Sequence, residues 1–204
     1  QLERNEAGER TVRRGGGGLV TALSGLVRKR KALWIASAMG EEDAEVAREA
    51  AGEPITVELD GVSYDVVLVA SDPVAYDRFY NVIANPILWF IQHYLWDLSN
   101  APDIRREEIE AWDEGYRVVN EDIAEAVLRT IANEREPLVM LHDYHLYTAP
   151  GMIRAARPDA FLHHFVHIPW SQPDSWRILP GRIREAIYNG MLANDIIGFH
   201  THPY

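Results

Sequence analysis

The chain has no cysteine among its 204 residues, which removes disulfides, thiolate nucleophiles and thiolate metal ligands at once and fits a cytoplasmic protein. Basic residues are scarce: 20 Lys and Arg stand against 31 Asp and Glu, a net charge of −11. Such a surplus of acid excludes nucleic acid or an anionic membrane as a general partner, so any phosphate site must be built locally. Long apolar runs are missing too. The most apolar stretch, 86–98, carries Gln92, His93 and Asp97 and is too short to span a bilayer. Residues 1–14 are polar and charged, unlike a signal peptide, and read as a mobile loop. There is no Gly-x-Ser-x-Gly elbow, no HExxH, and no Lys-Ser/Thr after a glycine-rich loop.

What remains is an ordinary globular composition, 47% hydrophobic and 25% charged, enough for one large α/β domain or two small ones. Gly15–Gly18 precede a helical pattern from Leu19, an arrangement that fits either backbone amides brought close to an anion or a flexible loop with a helix N-cap. A short strand is expected over 32–36. Strands over 55–59 and 64–69 flank Asp60-Gly61-Val62-Ser63, a hairpin signal that suggests an addition at a sheet edge. From Pro73 the apolar spacing turns helical, with Pro86 expected to break it. Ile109, Trp112, Tyr116, Val119, Ile123, Val127 and Ile131 mark a long amphipathic helix. Strands at 137–142, 161–167 and 195–199 alternate with helices at 149–156 and 180–192, a βαβαβ order that requires parallel pairing.

Chemistry concentrates at two strand ends. One apolar run opens into His142-Asp143-Tyr144-His145, and a second ends on His167. Acid and imidazole at the carboxyl ends of two buried strands mark the ligand crevice of an open α/β sheet. Three readings compete there. Histidines 142, 145, 163, 164 and 167 with Asp143 would suit a metal-dependent hydrolase, although His163 and His164 must point to opposite faces of a strand. A second reading makes His145, His163 and His164 strand caps or core hydrogen-bond partners. The third reading is sugar transfer, which needs amides for a leaving pyrophosphate, a carboxylate and imidazole for hydroxyls, and aromatic rings for sugar faces. Gly15–Gly18, Asp143 with His167, and Trp34, Tyr80 and Trp89 supply that set.

Several pieces resemble one family in order: Gly17-Gly18-Leu19, Leu33-Trp34, Tyr80-Asn81-x3-Asn85-x3-Trp89-x3-His93-Tyr94, Trp112-x3-Tyr116-x3-Asn120, His142-Asp143-Tyr144-His145-Leu146, His167-Ile168-Pro169 and Asp195 to Thr201. Tyr80 and Trp89 are nine apart, Asp143 and His167 twenty-four. This pattern is similar to the N-terminal domain of the trehalose-6-phosphate synthase family, retaining glycosyltransferases of the two-domain GT-B type. The resemblance implies a Rossmann-like parallel sheet flanked by helices over 15–204, with the hairpin as an addition and the C-terminal nucleotide-sugar domain absent. It implies Gly17, Gly18 and His167 against the donor and Trp34, Tyr80, Trp89 and Asp143 against the acceptor, with Asp143 and His167 as catalytic residues. It implies no metal and no cofactor, a nucleotide-glucose as co-substrate and a sugar phosphate as acceptor. A homo-oligomer stays open, and so does a non-catalytic sugar-phosphate-binding role. Two departures lie beside the sugars, Ile35-Ala36-Ser37-Ala38 after Trp34 and Trp170-Ser171 after Pro169. They leave room for another acceptor, such as a glycerol phosphate or a pseudo-sugar phosphate.

Overall fold

The computed structural model describes residues 1–5, 7–12, 32–59, 61–95 and 104–200. They fall into two compact units, Gln1–Ser71 and Asp72–Tyr204. The expected glycine loop at 15–18 and the helix after it lie outside the described residues.

In the first unit, β1 (Leu2–Arg4) and β2 (Arg10–Val12) pair antiparallel, where a loop is expected. The reason is a partner distant in sequence. Helix α1 (Glu41–Ala50) presents Glu42, Glu45 and Glu49 to Arg4 and Arg10, with Arg10 Nη1 2.6 Å from Glu49 and Arg4 Nε 2.8 Å from Glu42. Exposed pairs of this kind contribute little each, roughly 0–1 kcal/mol. The firmer tie is buried: Asp43 accepts from the Leu2 amide at 2.7 Å and from the Met39 and Gly40 amides at the start of α1. A second sheet has the order β3 (Leu33–Ser37), β5 (Val62–Val69), β4 (Ile55–Leu59). β3 runs parallel to β5 and β4 joins its other edge antiparallel, so the hairpin is an edge addition as expected. Its turn is tighter than the sequence suggests, because Leu59 pairs with Val62. Gly61 helps close it at a φ of +72°, which side chains resist.

The second unit begins with a long helix in three parts, α2 (Pro73–Asp77), a wide segment hydrogen-bonded i→i+5 over Arg78–Trp89, and α3 (Phe90–Gln92). Pro86 does not break it. A proline removes one amide and clashes with the preceding turn of an α-helix, and the wider π register relaxes that clash. Phe79, Ile83, Ile87, Leu88 and Ile91 are buried along one side. The next helix also widens in its middle, running as α4 (Arg106–Ala111), a π turn over Trp112–Tyr116, and α5 (Arg117–Thr130). The two wide segments touch at Gly115, where an added Cβ would lie 2.5 Å from Arg78 Cβ and 2.9 Å from the Phe79 amide nitrogen. Only a glycine permits that approach.

These helices pack with a parallel sheet of β6 (Leu138–His142), β7 (Phe161–Val166) and β8 (Ile196–Phe199), linked through α6 (Ala149–Ala156) and α7 (Gly181–Leu192). Leu162, His164 and Val166 of β7 are fully buried, with Val139 and Leu141 beside them on the same face. The opposite face carries Leu138, Met140, Phe161 and Ile196, which stay exposed, so among the described residues these strands are buried on one side. His163 and His164 do point to opposite faces. No helix among the described residues is long and apolar enough to cross a membrane.

Candidate active site

β6 ends at His142, and the backbone of the next residue is forced. Asp143 has φ 66° and ψ 178°, a region that only glycine enters freely and that costs another residue roughly 1–3 kcal/mol. Such a conformation persists only when its surroundings over-determine it. Here the Asp143 amide donates to the Phe165 carbonyl at 2.8 Å, continuing the β6–β7 ladder past its last pair. The Asp143 carbonyl accepts from His164 Nε2 at 2.9 Å, and Asp143 Oδ1 accepts from the His167 amide at 3.3 Å.

The loop that follows is clasped from α5. Buried Asn120 donates to the Tyr116 and His145 carbonyls, both at 2.9 Å, and its Oδ1 accepts from the amides of Thr148 and Ala149, which start α6. Tyr116 Oη donates to the Tyr144 carbonyl at 2.7 Å and accepts from the Tyr147 amide at 3.1 Å. The side-chain polar atoms of Asn120 and Tyr116 are all paired, as burial demands, while Thr148 Oγ1 and His145 Nε2 are buried without a partner among the described residues. Tyr144 Oη reaches Asn85 Oδ1 at 2.7 Å, tying the loop to the long helix as well.

Four of the seven residues singled out from the sequence gather in this unit. Asp143 and His167 meet at adjacent strand ends. Tyr80 stacks on His145 with ring centres 5.7 Å apart, and His145 in turn lies 4.0 Å from Tyr144. Trp89 stacks on His93 at 4.0 Å, and the charge of His93 acts on Asp143. Trp34 belongs to the first unit, edge-on to Tyr64 at 6.3 Å, its indole nitrogen buried without a partner among the described residues. Gly17 and Gly18 lie outside the described residues.

The electrostatics favour a carboxylate that seeks donors. Burial raises the Asp143 carboxyl above its ordinary value, opposed by the charges of His167 and His93 and by the Tyr144 and His167 amides. A half-buried carboxylate with spare lone pairs gains most from hydroxyl or other strong donors that replace its lost water. His167 is lowered by burial, against the pull of Asp143. His142 is pushed down to about 4, chiefly by burial and then by the charges of His167 and His163. Its Nδ1 lies 3.2 Å from His167 Nε2, so one neutral ring donates to the other and His142 helps fix how His167 is turned. Phe165 and His200 flank His167 with ring centres at 4.7 and 5.4 Å. No group of three or more His, Asp or Glu among the described residues is placed to hold a metal.

In the sequence alone, His142 stands out only as a metal ligand, and neither His93 nor Asn85 has a role, although both lie in the quoted aromatic motif. Position was the available signal: His142 is the last residue of an apolar strand, directly before the acid.

An open parallel sheet with carboxylate, imidazole and aromatic rings at its strand ends defines an α/β domain of the kind that places ligand crevices at the carboxyl ends of its strands. The chain belongs to glycosyltransferase family 20, whose model matches residues 1–204. It is 38% identical over 169 residues to validamine 7-phosphate valienyltransferase of Streptomyces hygroscopicus, covering 81% of this chain and 33% of that protein. It is 36% identical over 199 residues to trehalose-6-phosphate synthase of Mycolicibacterium smegmatis, covering 98% and 35%. In fold it matches the E. coli trehalose-6-phosphate structure bound with UDP-2-fluoro glucose, with a TM-score of 0.69, 23% identity and coverage of 94% of this chain and 38% of that one. The chain thus spans about a third of the length of the relatives it matches.

Proposed function

We propose that this chain builds the acceptor-side wall of a retaining glycosyltransferase site, in which a sugar passes from a nucleotide-sugar to a sugar phosphate. The observation that carries the reading is Asp143, held on a strained turn at a strand's carboxyl end beside His167. Strain of that size is kept where a side chain must be aimed. In this reading Asp143 grips acceptor hydroxyls and His167 the donor sugar, while Tyr80, Trp89 and Trp34 serve the acceptor, the first two at its phosphate end. Gly17 and Gly18 offer amides to the donor's pyrophosphate. Attack occurs on the face the leaving group departs from, so Asp143 positions the acceptor and forms no covalent intermediate. No cofactor or metal takes part, the protein works in the cytoplasm, and donor binding rests on the remainder of the two-domain design.

Glucose 6-phosphate is the first acceptor to test, giving trehalose 6-phosphate. A pseudo-sugar 7-phosphate is the second, favoured by the 38% identity to a valienyltransferase whose name gives validamine 7-phosphate and by Trp170-Ser171 after Pro169. Both share a phosphate at one end and hydroxyls at the other. The test is product analysis of the full-length protein against a panel of nucleotide-sugars and sugar phosphates, with Asp143→Ala beside it. The variant should lose roughly 2–4 kcal/mol of transition-state stabilisation, roughly thirtyfold to a thousandfold in kcat/KM. Near-normal turnover by a folded Asp143→Ala protein would sink the role.

A further inference from the structure

We infer that His164 is a positioning residue, whose Nε2–H holds the Asp143 carbonyl and so keeps the Asp143 backbone in its strained conformation. This rests on the reading of Asp143 as a substrate-facing carboxylate only for its meaning in catalysis; the grip itself is a matter of geometry.

The partner decides the tautomer. A carbonyl oxygen can only accept, so at 2.9 Å the His164 ring must carry its proton on Nε2. Nδ1 is then a bare acceptor, buried and without a hydrogen-bond partner among the described residues. Leaving an acceptor unpaired in the core is unfavourable, and a leucine or phenylalanine would fill the position with no such loss. His164 is fully buried on the inner face of β7, between Leu162 and Val166, with the Tyr147 ring 5.5 Å away. A residue that weakens the core at one nitrogen is retained for what the other nitrogen does. What it does is grip the carbonyl of the one site residue that sits in a glycine-only region.

Burial brings the ring's own pKa down to about 4, so the tautomer is neutral and constant through the physiological range. The neighbouring histidines do other things. His163, next in sequence, faces the other side of the sheet, and His167 contacts Asp143 through its amide, not its ring. Removing His164 would leave the Asp143 carbonyl with only the longer bond from the Leu146 amide, at 3.4 Å, and let the Asp143 backbone relax out of its strained conformation.

Three measurements test this on the protein. Nitrogen-15 NMR of the wild-type ring should show the Nε2–H tautomer with no titration between about pH 5.5 and 8; an Nδ1–H tautomer would overturn the inference outright. A structure of His164→Phe should show Asp143 moved to negative φ, and one with φ still near its present value would equally overturn it. His164→Gln places an amide donor where Nε2 stood, and should restore the positive φ. In turnover of the full-length protein, His164→Phe should lower kcat/KM roughly tenfold, the scale of one net hydrogen bond, with His164→Gln recovering most of it. If φ relaxes in His164→Phe while turnover holds, the grip stands and the catalytic reading of Asp143 falls. If Asp143→Ala is inactive while φ holds in His164→Phe, the grip falls and the catalytic reading stands.

Discussion

Replacing Asp143 by glycine and by alanine should separate the backbone of this site from its chemistry. Both variants lose the carboxylate, so both should lose transfer, and the difference between them reports the backbone alone. At φ 66° and ψ 178°, alanine keeps a Cβ that collides with its own backbone, a strain of roughly 1–3 kcal/mol, whereas glycine has none. Against that, glycine loses more freedom on folding, about 0.5–1 kcal/mol relative to alanine. The strain outweighs this entropy loss, and Asp143→Gly should be more stable than Asp143→Ala by about 1 kcal/mol. For a protein of this size that is a rise of roughly 2–4 °C in Tm. Urea unfolding followed by circular dichroism measures it, provided the two slopes agree so that the midpoints compare directly. The ordinary outcome elsewhere in a protein is the reverse, with glycine worse by about 0.5–1 kcal/mol. If that outcome appears at 143, the conformation is not strained and strain cannot be the sign of an aimed side chain. Asp143→Gly should also be at least as stable as wild type, because the half-buried carboxylate goes with the strain.

Asn120→Ala removes four hydrogen bonds at once and leaves the Thr148 and Ala149 amides and the His145 carbonyl without this partner; it should cost about 3–4 kcal/mol in unfolding free energy, and a loss below about 1 would show that water replaces the clasp. Acid should destabilise the fold early. His142, His145 and His164 are each lowered to about 4 by burial, so between about pH 6.5 and 4 the unfolded chain binds protons that the native chain refuses, and stability rises with pH through that window. The raised Asp143 carboxyl acts in the opposite sense, but it is one group against three. Melting at pH 7.5, 6 and 4.5 should show a steady fall, and a flat profile would mean the histidines are not held neutral.

Most helices and strands of the second unit were legible because their burial has a period. Helix 149–156 and the three parallel strands fall within a residue or two of their expected bounds. Pro86 misled because the rule it invokes belongs to the α-helix, and the chain there adopts a wider one. The pairing of residues 2–12 was invisible because its partners are glutamates some thirty positions on, and charge alone carries no address. Asp143, His167, Tyr80 and Trp89 were identifiable as residues, but the strain at Asp143 was not. A glycine at that position would have announced a special turn, while an aspartate that endures it gives no sign. The difference between His164 and His167 was likewise hidden, since period two assigns faces of a strand but not what lies beyond them.

The wide helix over Arg78–Trp89 also decides which residues share a side of the rod. Nine positions separate Tyr80 from Trp89. At roughly 3.6 residues per turn this spacing is about two and a half turns, which would set the two rings on opposite sides of the rod. Bonding to the fifth residue lowers the winding to about one turn in 4.4 residues, so the same spacing closes on about two full turns and brings the rings into one column. The segment therefore works as a ruler whose graduation is the helix pitch. Substitutions along it alter a side chain and leave the column standing. Losing or gaining a single residue, or retightening the coil around Pro86, would swing Trp89 and the His93 stacked on it away from Tyr80 while every side chain remained present. Length, more than identity, is the quantity this stretch must conserve.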